Sequence, residues 1–512
     1  MAIKNNKILW ADDKIDLLKS HILFLQKKGY EVTSVSSGCD AVNRFKNHTF
    51  DIVFLDENMS GHTLIQIKEM DLRIPVVMIT GSEEESIMEE AIGNEVADFL
   101  IRPVNPYQIL LSIKKNVHCH EIVSEKVEIN YQREFGRISM LIGDSVTPDN
   151  WIQIYRKLVY WELRLENSSV TMTDLLHEQK REANYAFSKF IKKNYIDWIQ
   201  NPECRPLMSP DLFKKKVFPL LDKEEKLFFI LIDNFRLDQW TIIKDLLKEY
   251  FFFDENIYYS ILPTVTQYAR NSIFSGLLPL QIEKVFPAFW KDETFDKSKN
   301  SDEECLIRTQ IKRFSKQYSF SYNKVCDTFC GDKLLNTLSP FFQNQLNVVV
   351  LNFMDELSHS CVENKIVREL SNTEAAFRSL TRTWFQYSGT MELFRYIALN
   401  GYKVIITTDH GMIRVDSPLK VMGDKSTNTN LRYKVGKNMD YNPKDVFEIP
   451  HPDKVGLPSP NLSSKYIFTM NSDFFAYPNN YRHYVSYYRD TFQHGGISME
   501  EMLIPFITLK PK

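Results

Sequence analysis

Three apolar runs in the second half of this 512-residue chain each end on an aspartate. The runs are LFFILID, NVVVLNFMD and KVIITTD, and their last residues are Asp233, Asp355 and Asp409. Continuous runs of Val, Ile, Leu and Phe indicate strands that are buried on both faces, as in a parallel sheet. Because ligands bind beyond the carboxyl ends of the strands in such sheets, the three carboxylates are expected to converge.

Three histidines complete a set of potential metal ligands. His359 follows Asp355 by four residues, so both side chains share one side if the chain enters a helical turn there. His410 adjoins Asp409, and His494 lies in QHGGIS, where glycines allow a close approach of the backbone. An aspartate at a strand end is by itself more often a turn former or helix cap. The ordered series of motifs instead favours a hydrolytic two-metal site, with zinc preferred to manganese or iron for mixed imidazole and carboxylate ligands.

The order of these motifs resembles the alkaline phosphatase superfamily, in particular its nucleotide pyrophosphatase/phosphodiesterase and PglZ branches. Those families place a nucleophilic Thr or Ser at a helix start, and residues 263–279, PTVTQYARNSIFSGLLP, match their P-T-x-T pattern. The resemblance puts the nucleophile on Thr266, with Ser272 as the second choice. Helix N-terminal N–H groups can hold a phosphoryl oxygen, and a bound metal lowers the pKa of a hydroxyl. Without the flanking motifs, Thr266 would be interpreted as a helix cap.

The same resemblance implies two Zn²⁺ positions. One would be held by Asp233, Thr266, Asp409 and His410, and the other by Asp355, His359 and His494. It also implies that the Thr266 oxygen attacks phosphorus and that water later cleaves the phosphothreonine. Two cations roughly 3.5–4 Å apart can stabilise the attacking and the leaving oxygen of such a displacement.

The first 120 residues carry an independent pattern of five strand and helix repeats. The strand-like runs KILWADD, EVTSVS, DIVFLD, PVVMIT and DFLIRP alternate with helical stretches, which indicates a doubly wound (βα)5 sheet. Polar residues end these runs: Asp12 and Asp13, Asp56, Thr80, and Arg102. Three carboxylates can hold Mg²⁺ through oxygen ligands, which suits the transfer of a phosphoryl group to Asp56.

This set resembles the receiver domain of response regulators, which a histidine kinase phosphorylates. The resemblance assigns the roles as follows: Asp56 the phosphoacceptor, Asp12 and Asp13 the Mg²⁺ ligands, Thr80 the hydroxyl that follows the phosphoryl group, and Phe99 the aromatic switch. Arg102 departs from the family, which has Lys before this Pro, and brings a planar fork in place of a compact ammonium. We therefore expect slow phosphorylation or an altered lifetime, and a receiver that no longer accepts phosphate is the alternative.

Composition limits the remaining possibilities. The length suggests about three domains, and 43% hydrophobic with 25% charged residues is typical of a soluble globular protein. A net charge of −3 gives no general nucleic-acid footprint. The seven cysteines show neither zinc-finger spacing nor a disulfide framework. Since no signal peptide or run of ~20 apolar residues occurs, we expect a cytoplasmic protein without membrane insertion.

Residues 121–215 have helical periodicity and few strand signals. One apolar face runs from Trp151 to Trp161 at three- and four-residue spacing. TMTDLLHEQKREANYAFSKFIKKNYIDWI is typical of a long helix that ends at Asn201-Pro202. A helical linker bundle is therefore expected between the receiver and an alkaline-phosphatase-like α/β domain at 216–512.

Residues 412–490 separate the DH motif from the last histidine. The polar stretch GDKSTNTNLRYKVGKNMDYNPKD predicts a loop or lid beside the site. Arg432 and Lys434 are candidates for phosphate contact, and a disordered loop is the alternative. In FFAYPNNYRHYVSYYRD, exposed tyrosines could stack with bases, although core packing explains the aromatic run as well.

Receiver, helical middle and PglZ-like part together resemble the PorX-type response regulators. That resemblance implies a zinc phosphodiesterase acting on linear or cyclic oligonucleotides, activated by phosphorylation of Asp56 and homodimerisation, and linked to type IX secretion. The alternative is an interaction protein, a phosphorylation-dependent partner of a sigma factor or kinase, in which zinc is structural. A sulfatase is disfavoured because C/S-x-P-x-R is absent, whereas a phosphomonoesterase remains open.

Overall fold

The computed structural model divides the chain into two compact units, Met1–Asn130 and Tyr131–Lys512. It describes residues 6–81, 93, 96–223, 225–290, 302–325, 343–424, 427–461 and 463–512. Within these residues, no helix combines the length and the apolar character that a membrane crossing needs.

The first unit contains a five-stranded parallel sheet with the order β2-β1-β3-β4-β5. The strands are β1 (Lys7–Ala11), β2 (Glu31–Val35), β3 (Ile52–Asp56), β4 (Val76–Thr80) and β5 (Asp98–Ile101). The described helices are α1 (Lys19–Lys27), α2 (Gly38–Asn47), α3 (Glu57–Met70) and α4 (Pro106–Asn116). Leu9 and Ala11 lie in one apolar cluster, and Ile8 and Trp10 in another, because successive strand residues point to opposite faces. The predicted doubly wound fold is confirmed.

Three long helices follow: α5 (Cys119–Asp144), α6 (Pro148–Arg164) and α7 (Val170–Gln200). Helix α5 continues through residue 120, where the sequence pattern had placed a domain boundary. Helix α6 begins with Pro148, and the Thr147 hydroxyl accepts a hydrogen bond from the Asn150 N–H. The predicted apolar face is buried, and α7 ends before Asn201-Pro202, as predicted.

The C-terminal domain is built on a six-stranded sheet with the order β7-β18-β10-β6-β9-β8. The strands are β6 (Leu227–Ile232), β7 (Phe251–Tyr259), β8 (Phe320–Val325), β9 (Leu346–Leu351), β10 (Lys403–Thr407) and β18 (Leu503–Pro511). Strands β10, β6, β9 and β8 pair in parallel, whereas β18 is antiparallel to both β10 and β7. The parallel sheet that the sequence predicts therefore occupies four of the six strands, and it includes the three strands that precede the aspartates.

Helices cover both faces of this sheet. Before the second ligand strand these are α8 (Phe218–Leu221), α9 (Leu237–Leu247), α10 (Thr266–Ser275), α11 (Pro279–Val285) and α12 (Glu303–Arg313). The later helices are α13 (Phe353–Glu363), α14 (Lys365–Leu370), α15 (Glu374–Tyr387), α16 (Gly389–Leu399), α17 (Tyr481–Tyr488) and α18 (Met499–Met502). Phe229 of β6 packs in one buried cluster with Phe274 of α10 and Leu306 of α12. This packing fixes α10 against the sheet.

Residues 412–490 are largely folded, which corrects the expectation of a polar loop. Strand β11 (Ile413–Arg414) pairs with β17 (Phe492–Gln493), and β12 (Ser417–Lys420) pairs with β16 (Asp473–Ala476). A three-stranded antiparallel sheet consists of β13 (Tyr433–Gly436), β15 (Lys465–Thr469) and β14 (Val446–Ile449). Tyr433 and Val435 lie in β13 of this sheet and are buried. The polar segment therefore contains a buried strand. Residues 425–426 of the predicted loop lie outside the described residues.

Helix α7 of the linker supplies buried polar contacts to the C-terminal domain. The Asn184 amide donates to Glu500 Oε2 at 2.9 Å, and its oxygen accepts from the Met499 N–H at 2.8 Å. Lys180 lies between Glu162 at 2.8 Å and Glu500 at 3.3 Å. These contacts satisfy polar groups that the packing of α7 removes from water.

We expect Asn184→Ala to lower the free energy of unfolding of the second unit by about 1–3 kcal/mol, since Met499 N–H and Glu500 would stay buried without this partner. Urea denaturation measures the change. The matched control is Asn194→Ala on the same helix, because the Asn194 amide donates to the Phe190 carbonyl of that helix. A control loss as large as that of Asn184→Ala would contradict the role assigned to Asn184.

Candidate active site and receiver site

The three strand-end aspartates lie at one edge of the six-stranded sheet. Asp233 directly follows β6, Asp409 lies two residues after β10, and Asp355 lies in the first turn of α13, just beyond β9. Because these strands are parallel neighbours in the order β10-β6-β9, their carboxyl ends meet. The structure thus brings the three aspartates to the same edge of the sheet, as the sequence predicts.

The ligand residues form two groups. One ligand atom from each of Asp233, Asp409 and His410 lies within 4.8 Å of the others, and the same is true of Asp355, His359 and His494. The first group is buried, whereas the His359 side chain is 65% exposed. The His410 and His494 rings stack at 4.3 Å between centroids. The two groups therefore adjoin each other.

Backbone carbonyl groups orient two of the histidines. His410 Nδ1 lies 3.2 Å from its Gly411 carbonyl oxygen, and His494 Nδ1 lies 3.2 Å from the Thr264 carbonyl oxygen. A hydrogen bond at Nδ1 places the proton there and leaves Nε2 with its lone pair for a metal ion. Burial lowers the pKa of His494 to about 3, so its imidazole is neutral.

The arrangement fits divalent cations. His494 Nε2 faces Asp355 Oδ1 at 3.7 Å, which brings two lone-pair acceptors together. In the first group, the buried Asp233 Oδ1 has no hydrogen-bond partner among the described residues, and His410 Nε2 lies 3.9 Å away. Facing acceptors need a positive charge between them, and nitrogen and carboxylate donors in this number suit zinc.

The pKa values of the two buried aspartates are shifted in opposite directions. Burial, opposed by Arg270 and reinforced by Asp409 and Asp355, raises the pKa of Asp233 well above its usual value. For Asp409, burial acts in the same direction, but the charge of Arg270 opposes it, and the pKa is lowered to about 2. A cation beside Asp233 would favour its ionised form in the same way that Arg270 favours ionised Asp409.

Thr266 is the first residue of α10 and the accessible residue of its segment. Residues 261–275 are otherwise all buried. Its Oγ1 lies 3.2 Å from His410 Nε2, which brings the hydroxyl to the first ligand group. Ser272, the second choice as nucleophile, is fully buried, so a substrate cannot reach its hydroxyl.

Arg270 is a site residue that the sequence reasoning missed. It is fully buried one turn after Thr266, and it pairs with Asp233, with Asp409 Oδ2 at 3.0 Å and with Glu303 Oε1 at 3.3 Å. Its guanidinium offsets the negative charge of two ligand residues and fixes their orientation. Spacing of four residues from the nucleophile on one helix face was the available signal.

A second threonine joins the nucleophile segment to the HGG loop. Thr264 Oγ1 donates to the Gly496 carbonyl at 3.0 Å and accepts from the Gly495 N–H at 3.0 Å. Gly495 has a φ of +124°, and a Cβ there would lie 2.8 Å from the Tyr433 ring. Glycine at this position therefore lets the loop carry His494 to the site.

The two predicted phosphate contacts lie elsewhere. Arg432 is fully buried and paired with Glu501, and its Nη2 lies 2.6 Å from Glu501 Oε2. Lys434 is 1% exposed and donates to the Asn428 carbonyl. This placement argues against phosphate binding, because Lys434 lies in the buried strand β13 and Arg432 directly precedes it.

In the receiver site, the Arg102 side chain bridges two of the predicted aspartates. Asp12, Asp13 and Asp56 each bring an oxygen within 4.8 Å of the others. Arg102 contacts Asp12 Oδ2 at 2.5 Å and also pairs with Asp56. Burial raises the pKa of Asp56, with Arg102 opposing and Asp12 and Asp13 reinforcing the change. Arg102 thus lies between Asp56, the predicted phosphoacceptor, and Asp12, a predicted Mg²⁺ ligand.

The other two receiver residues lie close by. Thr80 is buried at the end of β4, and its hydroxyl donates to Glu57 Oε2 at 2.5 Å. Phe99 is half-buried in the edge strand β5.

Three family models match the chain. Residues 212–509 match the BREX system PglZ alkaline phosphatase-like domain, residues 121–199 the PorX response regulator linker domain, and residues 8–114 the response regulator receiver domain.

Curated relatives match shorter stretches. The alkaline phosphatase synthesis transcriptional regulatory protein PhoP of Bacillus subtilis is 25% identical over 160 residues, which cover 30% of this chain and 65% of PhoP. The uncharacterized transcriptional regulatory protein YclJ of the same organism is 25% identical, over 24% of this chain and 55% of its own. The chain thus spans less than two thirds of either relative. The chemotaxis protein CheY of B. subtilis is 28% identical, over 22% of this chain and 98% of CheY.

Solved structures resemble the same share of the chain. A CheY-like receiver domain protein from Methanospirillum hungatei JF-1 has 21% identity and a TM-score of 0.21, covering 22% of this chain and 94% of its own. The PglZ model alone covers more than half of the chain. The chain belongs to the PglZ alkaline phosphatase-like family, and its receiver, linker and PglZ domains have the architecture of a PorX-type response regulator.

Proposed function

We propose that this response regulator has a zinc-dependent phosphodiesterase as its output. The observation that supports it best is the position of Thr266, which is partly exposed and whose hydroxyl lies 3.2 Å from His410 in one predicted ligand group, next to a second group. Each group combines imidazole and carboxylate oxygen donors, as catalytic zinc sites do.

The protein residues have separable roles in this reaction. The Thr266 oxygen forms a bond to phosphorus while the bond from phosphorus to the leaving alcohol breaks, and water then cleaves the phosphothreonine. Asp233, Asp409 and His410 would hold one Zn²⁺ beside the attacking oxygen, and Asp355, His359 and His494 would hold the other. Bound zinc would supply the positive charge that stabilises both oxygens. Thr264 positions His494, and Arg270 positions the two buried aspartates.

The proposal extends to substrate and regulation. The substrate would be a linear or cyclic oligonucleotide, recognised locally because the chain has a net charge of −3. A histidine kinase would phosphorylate Asp56, with Mg²⁺ held by Asp12 and Asp13, and phosphorylation would favour an active homodimer. By its PorX-type architecture, the protein would act in the cytoplasm in the regulation of type IX secretion, with a sigma factor as a further partner.

A competing function is a phosphorylation-dependent interaction protein whose zinc is structural. Burial of Arg432 and Lys434 favours it, because it removes both predicted phosphate contacts. Zinc content does not separate the two functions, but catalytic turnover does.

We expect Thr266→Val to lower kcat on bis(p-nitrophenyl) phosphate about a thousandfold or more, as the loss of a nucleophile does. Ser272→Ala is the matched control and should retain activity, because that hydroxyl is enclosed in the core. If Thr266→Val turns over the diester as fast as the wild type, Thr266 is not the nucleophile. No turnover by zinc-loaded wild type would favour the interaction protein.

Zinc analysis of dialysed protein should find two ions per chain. We expect His494→Ala and Asp355→Asn each to leave about one ion, because they remove donors from one group while the other keeps its own. His451→Ala, an exposed histidine outside both groups, should retain both ions. Retention of two ions by both ligand variants would contradict the assignment.

We expect Arg102→Lys to accelerate incorporation of phosphate from acetyl phosphate. Arg102 Nη2 contacts both Asp12 and Asp56, and a smaller ammonium group in its place would leave more room for Mg²⁺ and the phosphoryl group. Arg73→Lys, at an exposed position of the same unit, is the control. Absence of phosphate from both the wild type and Arg102→Lys would show a receiver that does not accept phosphate.

A further inference from the structure

An open groove of about 380 Å³ lies between α14 and α17. Arg368 of α14, Arg482 of α17 and the adjoining Arg489 line it, together with Tyr481 and Asp490. None of these residues belongs to either ligand group. Arg368 Nη2 donates to the Arg489 carbonyl at 3.1 Å and so connects the two sides of the groove.

The groove is built on elements that are close in sequence to the predicted ligands of the second group. Helix α14 begins two residues after α13, which carries Asp355 and His359. After α17 the chain forms β17, and His494 follows β17 directly. Each wall of the groove is thus continuous in sequence with a predicted metal ligand.

The charges in the groove suit an anion. Its acidic residue, Asp490, is paired with Arg414 at 3.2 Å. Arg482 is exposed and has no ion pair or hydrogen bond within the described part of the chain. Arginines of this kind recognise phosphates through charge-assisted hydrogen bonds.

Helix α17 also presents aromatic rings to solvent. None of its residues is buried, and Tyr484 and Tyr487 are 38% and 36% exposed. The rings of His483 and Tyr487 lie parallel within 23°, and those of Tyr484 and Tyr488 within 10°. Tyr481 and Tyr488 pack against a buried cluster, so core packing explains part of the aromatic run. Tyr484 and Tyr487 lie outside the groove on the same helix as Arg482, and exposed tyrosine rings can stack bases while nearby cations contact phosphates.

We propose that the groove between α14 and α17, together with the exposed rings of α17 beside it, binds the nucleotides next to the scissile phosphate of a single-stranded oligonucleotide. The proposal rests on the phosphodiester activity proposed above and assigns a strand-binding surface to it. An acidic peptide could use the arginines, but its side chains would leave the rings without partners. In a single-stranded oligonucleotide, bases alternate with phosphates, so the bases can contact the rings and the phosphates can contact the arginines.

The test compares wild type with Arg482→Gln and Tyr487→Ala. We expect the ratio of kcat/KM on a single-stranded oligonucleotide to kcat/KM on bis(p-nitrophenyl) phosphate to fall about tenfold in each variant, since stacking and phosphate contacts act on the longer substrate. The control is Arg395→Gln, which removes another exposed arginine near a tyrosine ring, on α16. Its ratio should equal that of wild type.

Binding is measured separately by fluorescence anisotropy, with a fluorescein-labelled oligonucleotide and each change placed in the Thr266→Val background. Weaker binding by Arg482→Gln and Tyr487→Ala, but not by Arg395→Gln, supports the groove. Unchanged ratios and unchanged binding overturn it, even when wild type hydrolyses both substrates. If wild type hydrolyses neither, the proposed phosphodiesterase fails, and the anisotropy experiment still decides whether the groove binds the strand.

Discussion

The candidate site of the C-terminal domain depends on negative charge that is concentrated at one edge of the parallel part of its sheet. Three strands deliver aspartates to the same place, and two of these carboxylates are almost completely removed from water. Such a cluster is unfavourable unless positive charge compensates it. Arg270 supplies one permanent charge from inside the protein, and Asp233 Oδ1, which has no hydrogen-bond partner among the described residues, leaves a place that suits a bound cation.

Much of this arrangement could be predicted because it is local in the sequence. An apolar run and the aspartate that follows it are read together, and parallel pairing makes the strand ends converge. Thr266 was singled out through its match to the P-T-x-T pattern of a family that the chain resembles, and the structure has it as the first residue of α10. Arg270 was missed because its role arises from contact with residues on two other strands and with Glu303 on α12.

The phosphate contacts predicted for Arg432 and Lys434 also failed because of contacts between residues that are far apart in the sequence. Arg432 and Lys434 lie among polar residues in the sequence, so they were assigned to a loop, but their neighbours Tyr433 and Val435 pair with β15 and enter a core. Arg432 is then held by Glu501, nearly seventy residues later in the chain. Long-range pairing of this kind has no local signal. Helix α17 shows the reverse case in part, since Tyr484 and Tyr487 are exposed although Tyr481 and Tyr488 of the same run pack against a core cluster.

The contact of α7 with Met499 and Glu500 of α18 limits which part of the chain evolution can exchange as a unit. The PglZ family model begins at residue 212, but the polar groups that α18 needs come from Asn184 and Lys180. Recombination at residue 212 would join the domain to a foreign neighbour that lacks those partners. The part that can be exchanged as a module therefore includes the linker helices, and receivers can be replaced more readily by a junction within α5, where the two compact units meet in sequence.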